Sequence, residues 1–155
     1  MPLRVRPYRA DDAGALARLF YESVHRSALG PYSQAELDAW APYPIDQALW
    51  QRKLNELKPL VAEEDSQVLG FMTLERGGFI GLAFSHPDHQ RRGVATALYQ
   101  ALEAQAREQG LARLSVDASK LARPFFEGQG FVVVRENQVP RHGQLLVNWT
   151  MGKDL

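Results

Sequence analysis

The segment FIGLAFSHPDHQRRGVATALYQ, from Phe79 to Gln100, decides how this chain folds. Phe79, Ile80, Leu82, Ala83 and Phe84 form a near-continuous apolar run, the pattern of a strand covered on both faces, and Pro87 ends it. Beyond a short polar loop, Val94, Ala97, Leu98, Ala101 and Leu102 recur at helical steps, so one stripe of a helix faces the core. Gly110 stands where a helix C-terminus favours glycine. At the helix entrance Gly93 lets a ligand approach the backbone, and the unpaired N–H groups of the first turn point outward as anion donors. Arg91 and Arg92 add guanidinium forks suited to phosphate oxygens. The design fits a pyrophosphate; a glycine that simply makes the turn beside two solvated arginines is the other reading. A Walker loop needs Lys followed by Ser or Thr after its second glycine, and the dinucleotide fingerprint needs three spaced glycines. Neither stands here.

Working outward, Leu3 and Val5 alternate with Arg4 and Arg6 and Pro7 closes the run, which predicts a half-buried strand near a sheet edge. Asp11 or Asp12 caps a helix whose core stripe is Leu16, Leu19, Phe20 and Val24. Ser33 with Glu36 forms a capping box for a short helix through Trp40, and Asp46 caps another through Leu57. Leu60 to Glu63 and Val68 to Leu74 read as strands around a turn at Asp65 and Ser66, and Gly77–Gly78 turns into the apolar run. After the long helix come a strand at Leu114 to Asp117, a helix at Leu121 to Glu127, and strands at Phe131 to Arg135 and Leu145 to Met151, with His142 and Gly143 turning between the last two. This order predicts an α/β fold, with helices packed on both faces of a mixed, mostly antiparallel sheet.

At 155 residues and 45% hydrophobic content the chain is sized for one domain, residues 1–155. Lys plus Arg and Asp plus Glu each number 18, so no global field points to nucleic acid or an anionic membrane. Asp11 to Ser66 carries ten acids and five bases, whereas Ser85 to Leu155 carries seven acids and nine bases. That lean suits an anionic coenzyme at one end and a cationic amine at the other. The lack of cysteine excludes disulfides, thiolate metal sites and an acyl-cysteine mechanism. Met1 to Ala10 lacks a signal-peptide core and no apolar run reaches membrane-spanning length, so the expectation is a soluble cytoplasmic protein.

Gln90-Arg91-Arg92-Gly93-Val94-Ala95, preceded by His86, Pro87 and Asp88, resembles the acyl-CoA signature Gln/Arg-x-x-Gly-x-Gly/Ala of the GNAT superfamily of N-acyltransferases. Ser119, Ala122, Phe125, Phe126, Glu127, Gly130 and Phe131 resemble that family's later helix-to-strand motif, at the expected distance. The resemblance covers Phe79 to Val134 well and extends, through element order, to most of the chain. It implies a single GNAT-like domain in which the central strand and the strand after the long helix splay apart around a pantetheine arm. Phe84 and Ser85 would then offer backbone groups to the arm, and Gln90, Arg91, Arg92, Gly93, Val94, Ala95 and Thr96 would hold the pyrophosphate. Ser119 stands where many members place asparagine, and Phe125 and Phe126 border the same site. The implied reaction is direct attack by a neutral amine on acetyl-CoA, a co-substrate, with no metal. The implied partner is a small-molecule or peptide amine, with neither nucleic acid nor membrane involved, for a monomer or homodimer.

An amine with a pKa of about 10.4 must lose a proton near neutral pH. Glu75, at the end of the preceding strand, and His25, with its suitable intrinsic pKa, are the candidate bases. Many family members carry a tyrosine acid four residues after the motif alanine; here that position is Phe126, which has no proton to give. Water or Tyr32 is the alternative donor to the leaving thiolate. Tyr32, Trp40, Tyr43 and Trp50, interleaved with Pro31, Pro42 and Pro44, are candidate walls of the acceptor pocket. A non-catalytic acyl-CoA sensor keeps the pyrophosphate loop and dispenses with the acid, and Phe126 is the feature that favours it.

Overall fold

The computed structural model describes residues 2–90 and 92–155. Strand β1 (Arg4–Pro7) leads through a tight turn into α1 (Ala13–Glu22), which widens into a π-helical turn at Ser23–Ser27. Helices α2 (Gln34–Trp40) and α3 (Gln47–Leu57) follow. Strands β2 (Leu60–Glu64), β3 (Gln67–Met72), β4 (Phe79–Ile80) and β5 (Ala83–Ser85) then lead to α4 (Val94–Glu108). Strand β6 (Arg113–Ala118), α5 (Arg123–Gly128) and the hairpin β7 (Val132–Arg141) with β8 (Gln144–Asp154) complete the chain. No helix among the described residues is long and apolar enough to cross a membrane.

Local signals set most boundaries. Ser33 Oγ accepts the Glu36 N–H at 3.2 Å while Glu36 Oε1 accepts the Ser33 N–H at 2.8 Å, the reciprocal box that starts α2. Asp46 accepts the Leu49 N–H at 3.0 Å and starts α3. Asp65 and Ser66 both take positive φ, as a two-residue hairpin turn requires. The closing hairpin runs further than its apolar residues suggest, to Arg141 on one side and from Gln144 on the other, with His142 and Gly143 at its tip. Much of β7 is exposed, so it carries little of the alternation by which a half-buried strand is read.

Among the described residues the strands form two four-stranded sheets, ordered β1-β2-β3-β5 and β4-β6-β8-β7. The run expected as one strand from Phe79 to Phe84 is therefore divided between them. Phe79 and Ile80 pair in parallel with Ser115 and Val116 of β6, whereas Ala83, Phe84 and Ser85 pair antiparallel with Met72, Phe71 and Gly70 of β3. Between them, Leu82 bonds to Thr73 twice: the Thr73 N–H donates to the Leu82 carbonyl at 2.9 Å, and the Leu82 N–H donates to Thr73 Oγ1 at 2.9 Å. The break reverses the faces. Ile80 joins one core, Leu82 the opposite one, and Ala83 packs against the first again.

One core lies under α4 and α5, with Leu98, Leu102, Leu114, Val116 and Phe126; the other lies under α1, α2 and α3, with Leu16, Phe20, Leu37, Leu54 and Phe71. The helices thus cover both faces, as element order predicts. At the edge strand β1 one expectation fails: Arg6 is only 8% exposed. Its Nη1 and Nη2 grip Asp12 at 2.9 and 2.8 Å, and its Nε lies 2.9 Å from Glu63. Burial pushes the Asp12 carboxyl up, but the Arg6 and Arg9 hydrogen bonds outweigh it and hold the carboxyl below its ordinary value.

Two outcomes follow for stability. Thr73→Val keeps the volume but strips the Leu82 N–H of its acceptor, so urea unfolding should show a loss of about 1–3 kcal/mol. Asp12→Asn should lose on the order of 3 kcal/mol near neutral pH by leaving a buried guanidinium short of its partner. Because the folded-state value of Asp12 lies below its unfolded 3.8, the pair's contribution is complete above that pH and fades as pH falls through the folded value. The gap between variant and wild type should close as unfolding is followed to more acid pH.

Candidate active site

The entrance of α4 has the form expected of an anion cradle. Gly93 sits at φ +83°, with no atom within 4 Å of where a Cβ would stand. Ala97 N–H bonds back to the Gly93 carbonyl at 2.9 Å, whereas the N–H groups of Gly93, Val94 and Thr96 meet no acceptor among the described residues. The Val94 side chain is buried in the α4 core, so that residue presents its backbone. Ala95 and Thr96 complete the first turn. Arg92 is exposed and stands 3.8 Å from Glu64, while Arg91 lies outside the described residues.

The loop before this turn is tied to the π-helical turn after α1. Arg26 pairs with Asp88, whose carboxyl this hydrogen bond holds below its ordinary value. Gln90 Nε2 donates to Ser27 Oγ at 3.0 Å, and the Asp88 N–H donates to His86 Nδ1 at 3.1 Å. Gln90 therefore braces the loop. The π-helical turn supplies both anchors, in keeping with the association of such turns with functional sites.

Beyond their short pairing, β4 and β6 part, and β5 leans to β3, so a cavity of about 400 Å³ opens between β5 and the end of β6. Leu82 bonds to Thr73, the residue after β3, and His86 bonds to Leu69 of β3. By the alternation of an antiparallel ladder, the N–H and C=O of Ala83 and Ser85 then face the gap, while those of Phe84 face β3. Of the two residues expected to offer backbone groups, Ser85 thus turns its N–H and C=O to the gap, as Ala83 does, whereas Phe84 turns its own to β3 and gives its ring to the cavity wall.

The far wall is built from Val116, Asp117, Ala118 and Ser119. Ser119 Oγ accepts the Ala122 N–H at 3.1 Å, capping the turn into α5. Phe126 is 1% exposed and packs edge-to-face on Tyr99, Phe125 and Phe131; it reaches the cavity, and Phe125 does not. Over the gap stand Phe20, Trp40 and Trp50, with the Phe20 ring centroid 4.7 Å from Trp50 and 4.9 Å from Phe84. Tyr43, expected in this wall, is 79% exposed and stands outside it.

The three candidate catalysts are not brought together. Tyr32 lines the cavity, but its hydroxyl donates to the Val147 carbonyl at 2.6 Å and accepts the Lys120 N–H at 3.0 Å. Burial pushes its phenol up, so it holds its proton firmly. Glu75 is not on the cavity wall; its carboxylate fills the space beside Gly81 and accepts the Thr73 hydroxyl at 2.9 Å. His25 stacks on Tyr21 at 4.2 Å and donates Nε2–H to the Ala41 carbonyl at 2.7 Å, away from the cavity. Asp117, Asn148, Lys53 and Arg141 are on the wall instead. The alternation Leu114-Ser115-Val116-Asp117-Ala118 already placed Asp117 opposite the apolar face, and that was the available signal.

Comparison with known proteins fits this geometry. The family description Acetyltransferase (GNAT) domain matches residues 28–153. The chain is 35% identical over 150 residues to the Escherichia coli K12 protein called Uncharacterized N-acetyltransferase YafP, covering 96% of this chain and 94% of that one. It superposes with a TM-score of 0.94 and 34% identity on a Rhodopseudomonas palustris crystal structure described as a GCN5-related N-acetyltransferase and class-II aminotransferase, over 100% of this chain and 97% of that one. A Salmonella typhimurium structure, yncA, a putative acetyltransferase with its cofactor acetyl-CoA, shares the fold at a TM-score of 0.74 and 19% identity, over 100% of this chain and 95% of that one. With its strands parted beside a glycine-led helix entrance and these likenesses along nearly its whole length, the chain belongs to the GNAT acetyltransferase family.

Proposed function

We propose that this chain, as one acyltransferase domain over residues 1–155, moves an acetyl group from acetyl-CoA to a primary amine with both substrates bound together. The observation that carries the reading is the division of Phe79–Ser85 between two sheets, which opens backbone edges at Ala83 and Ser85 above a helix entrance with free N–H groups. The coenzyme's pyrophosphate meets the N–H groups of Gly93, Val94 and Thr96, with Arg92 adding charge. Its pantetheine arm then runs along the open edge of β5 and brings the thioester to the gap. The acetyl-CoA held by the structural likeness from Salmonella supports that choice of donor.

Holding thioester and amine in line supplies much of the rate, because it turns a bimolecular step into an effectively unimolecular one. Backbone N–H groups on the open edge stabilise the oxyanion as it forms. Phe126 has no proton to give and the Tyr32 hydroxyl is committed to Val147, so the sulfur leaves as thiolate. A thiol of pKa about 8.5 leaves tolerably in that form. The aromatic wall of Phe20, Trp40 and Trp50 sets the acceptor's shape.

Incubation with acetyl-CoA and a panel of primary alkyl and aryl amines should release free thiol only when an accepted amine is present. Thermal stabilisation by coenzyme A with no amine-dependent thiol from any member would instead identify a binding module. Gly93→Trp places a bulky side chain over the open N–H groups at positive φ, and calorimetry should find coenzyme A binding weakened at least about tenfold.

A further inference from the structure

Asp117 is the one carboxylate on the cavity wall among the described residues. Its place follows from register: Phe79 faces Ser115 and Ile80 faces Val116, and at the next step, where Gly81 would face Asp117, the ladder has ended. Leu114, Val116 and Ala118 enter the α4 core, so Asp117 points to the other face, the side of Trp40 and Trp50. Thr150, its register partner on β8, donates its hydroxyl to Asp117 Oδ1 at 2.7 Å. Asn137 on β7 donates to Thr150 Oγ1 at 2.9 Å and to Asn148 Oδ1 at 3.0 Å. Asn137 thereby holds the Thr150 oxygen as acceptor, which turns the Thr150 hydroxyl proton along the sheet onto Asp117 Oδ1; Oδ2 has no partner among the described residues.

We propose that Asp117 takes the proton from the attacking amine, with Thr150 and Asn137 as positioning residues; this rests on the acetyl-transfer reading above. The amine sheds its ammonium proton to solvent, and its nitrogen lone pair forms the C–N bond at the acetyl carbonyl carbon while the π pair moves onto oxygen. The positively charged nitrogen then passes a proton to Asp117 Oδ2. As the oxyanion collapses the C–S bond breaks, the pair leaves on sulfur, and the thiolate takes a proton from Asp117 or from water, giving amide and thiol. The charged and titratable groups that share the cavity wall with Asp117 are Lys53 of α3, Arg141 of β7 and the Tyr32 phenol; Glu75 lies off that wall, beside Gly81. The neighbours on β8, Asn148 and Thr150, are neutral.

The test uses the full chain, acetyl-CoA and whichever amine of the panel gives the fastest thiol release. Asp117→Asn should lower kcat near neutral pH at least about 100-fold, leave coenzyme A affinity unchanged, and leave a residual rate that climbs with hydroxide. Thr150→Val should show a smaller loss that Thr150→Ser restores. An Asp117→Asn enzyme that keeps the wild-type kcat and pH profile overturns the proposal, as does loss of the acid limb in Glu75→Gln but not in Asp117→Asn. Should Asp117→Asn fail to fold, the threonine pair decides, and equal kcat in Thr150→Val and Thr150→Ser overturns it. If the wild-type chain releases no thiol with any amine, the acetyl-transfer reading itself falls, a result distinct from these.

Discussion

A threonine hydroxyl stands in for sheet backbone at the centre of this fold. Where the run from Phe79 leaves one sheet for the other, Leu82 keeps its amide satisfied by bonding Thr73 Oγ1, and Thr73 is wholly buried. A buried N–H without a partner is expensive, so a strand that changes sheets mid-course needs such a substitute. The same hydroxyl donates onward to Glu75, which occupies the room that Gly81 leaves by having no side chain. Three small local facts, a Thr, a Gly and a carboxylate, thus allow the face reversal that opens the gap.

The gap is kept from closing by what lines it. Phe84, turned by the reversal to the α1 face, meets Phe20 edge-on, and Phe20 meets Trp50, so the rings brace the opening from above. Below, the interlocked Tyr99, Phe126 and Phe131 fix α5 against α4 and the start of β7. The loop leading to Gly93 is braced separately, through Arg26 and Ser27, so anion cradle and cavity rest on different supports.

Much of this was readable in the sequence because its signals are local. The caps at Ser33 and Asp46, the Gly93 turn and the helical stripe from Val94 each depend on neighbours a few positions away, and each appeared where expected; Asp12, expected to cap α1, makes no side-chain cap bond there and gives its carboxylate to Arg6 instead. The break at Gly81–Leu82 was not readable, since an unbroken apolar run looks the same whether one sheet or two receive it. The buried Arg6 was missed for a like reason, its partners Asp12 and Glu63 coming from other elements. The alternation of β6 shows Asp117 opposite its apolar face, but that the Asp117 face borders a gap depends on the pairing with β4 ending at Ile80, which no local pattern carries. Among the aromatic residues, Trp40 and Trp50 fell where expected and Tyr43 did not, since spacing alone does not say which side of a loop turns inward.

Tyr32 joins otherwise separate parts of the molecule through a single oxygen, bonded to Val147 on β8 and to Lys120 after β6. Lys120 closes the tie from its own side, its ammonium 2.7 Å from the Pro31 carbonyl and 4.5 Å from the Tyr32 ring centre. The segment carrying Tyr32 runs straight into α2 and Trp40. Neither jaw of the cleft therefore moves alone: a shift at the Trp40 side drags the Ser119 side with it, and the width of the cavity at its aromatic wall is geared to its width where β5 and β6 part.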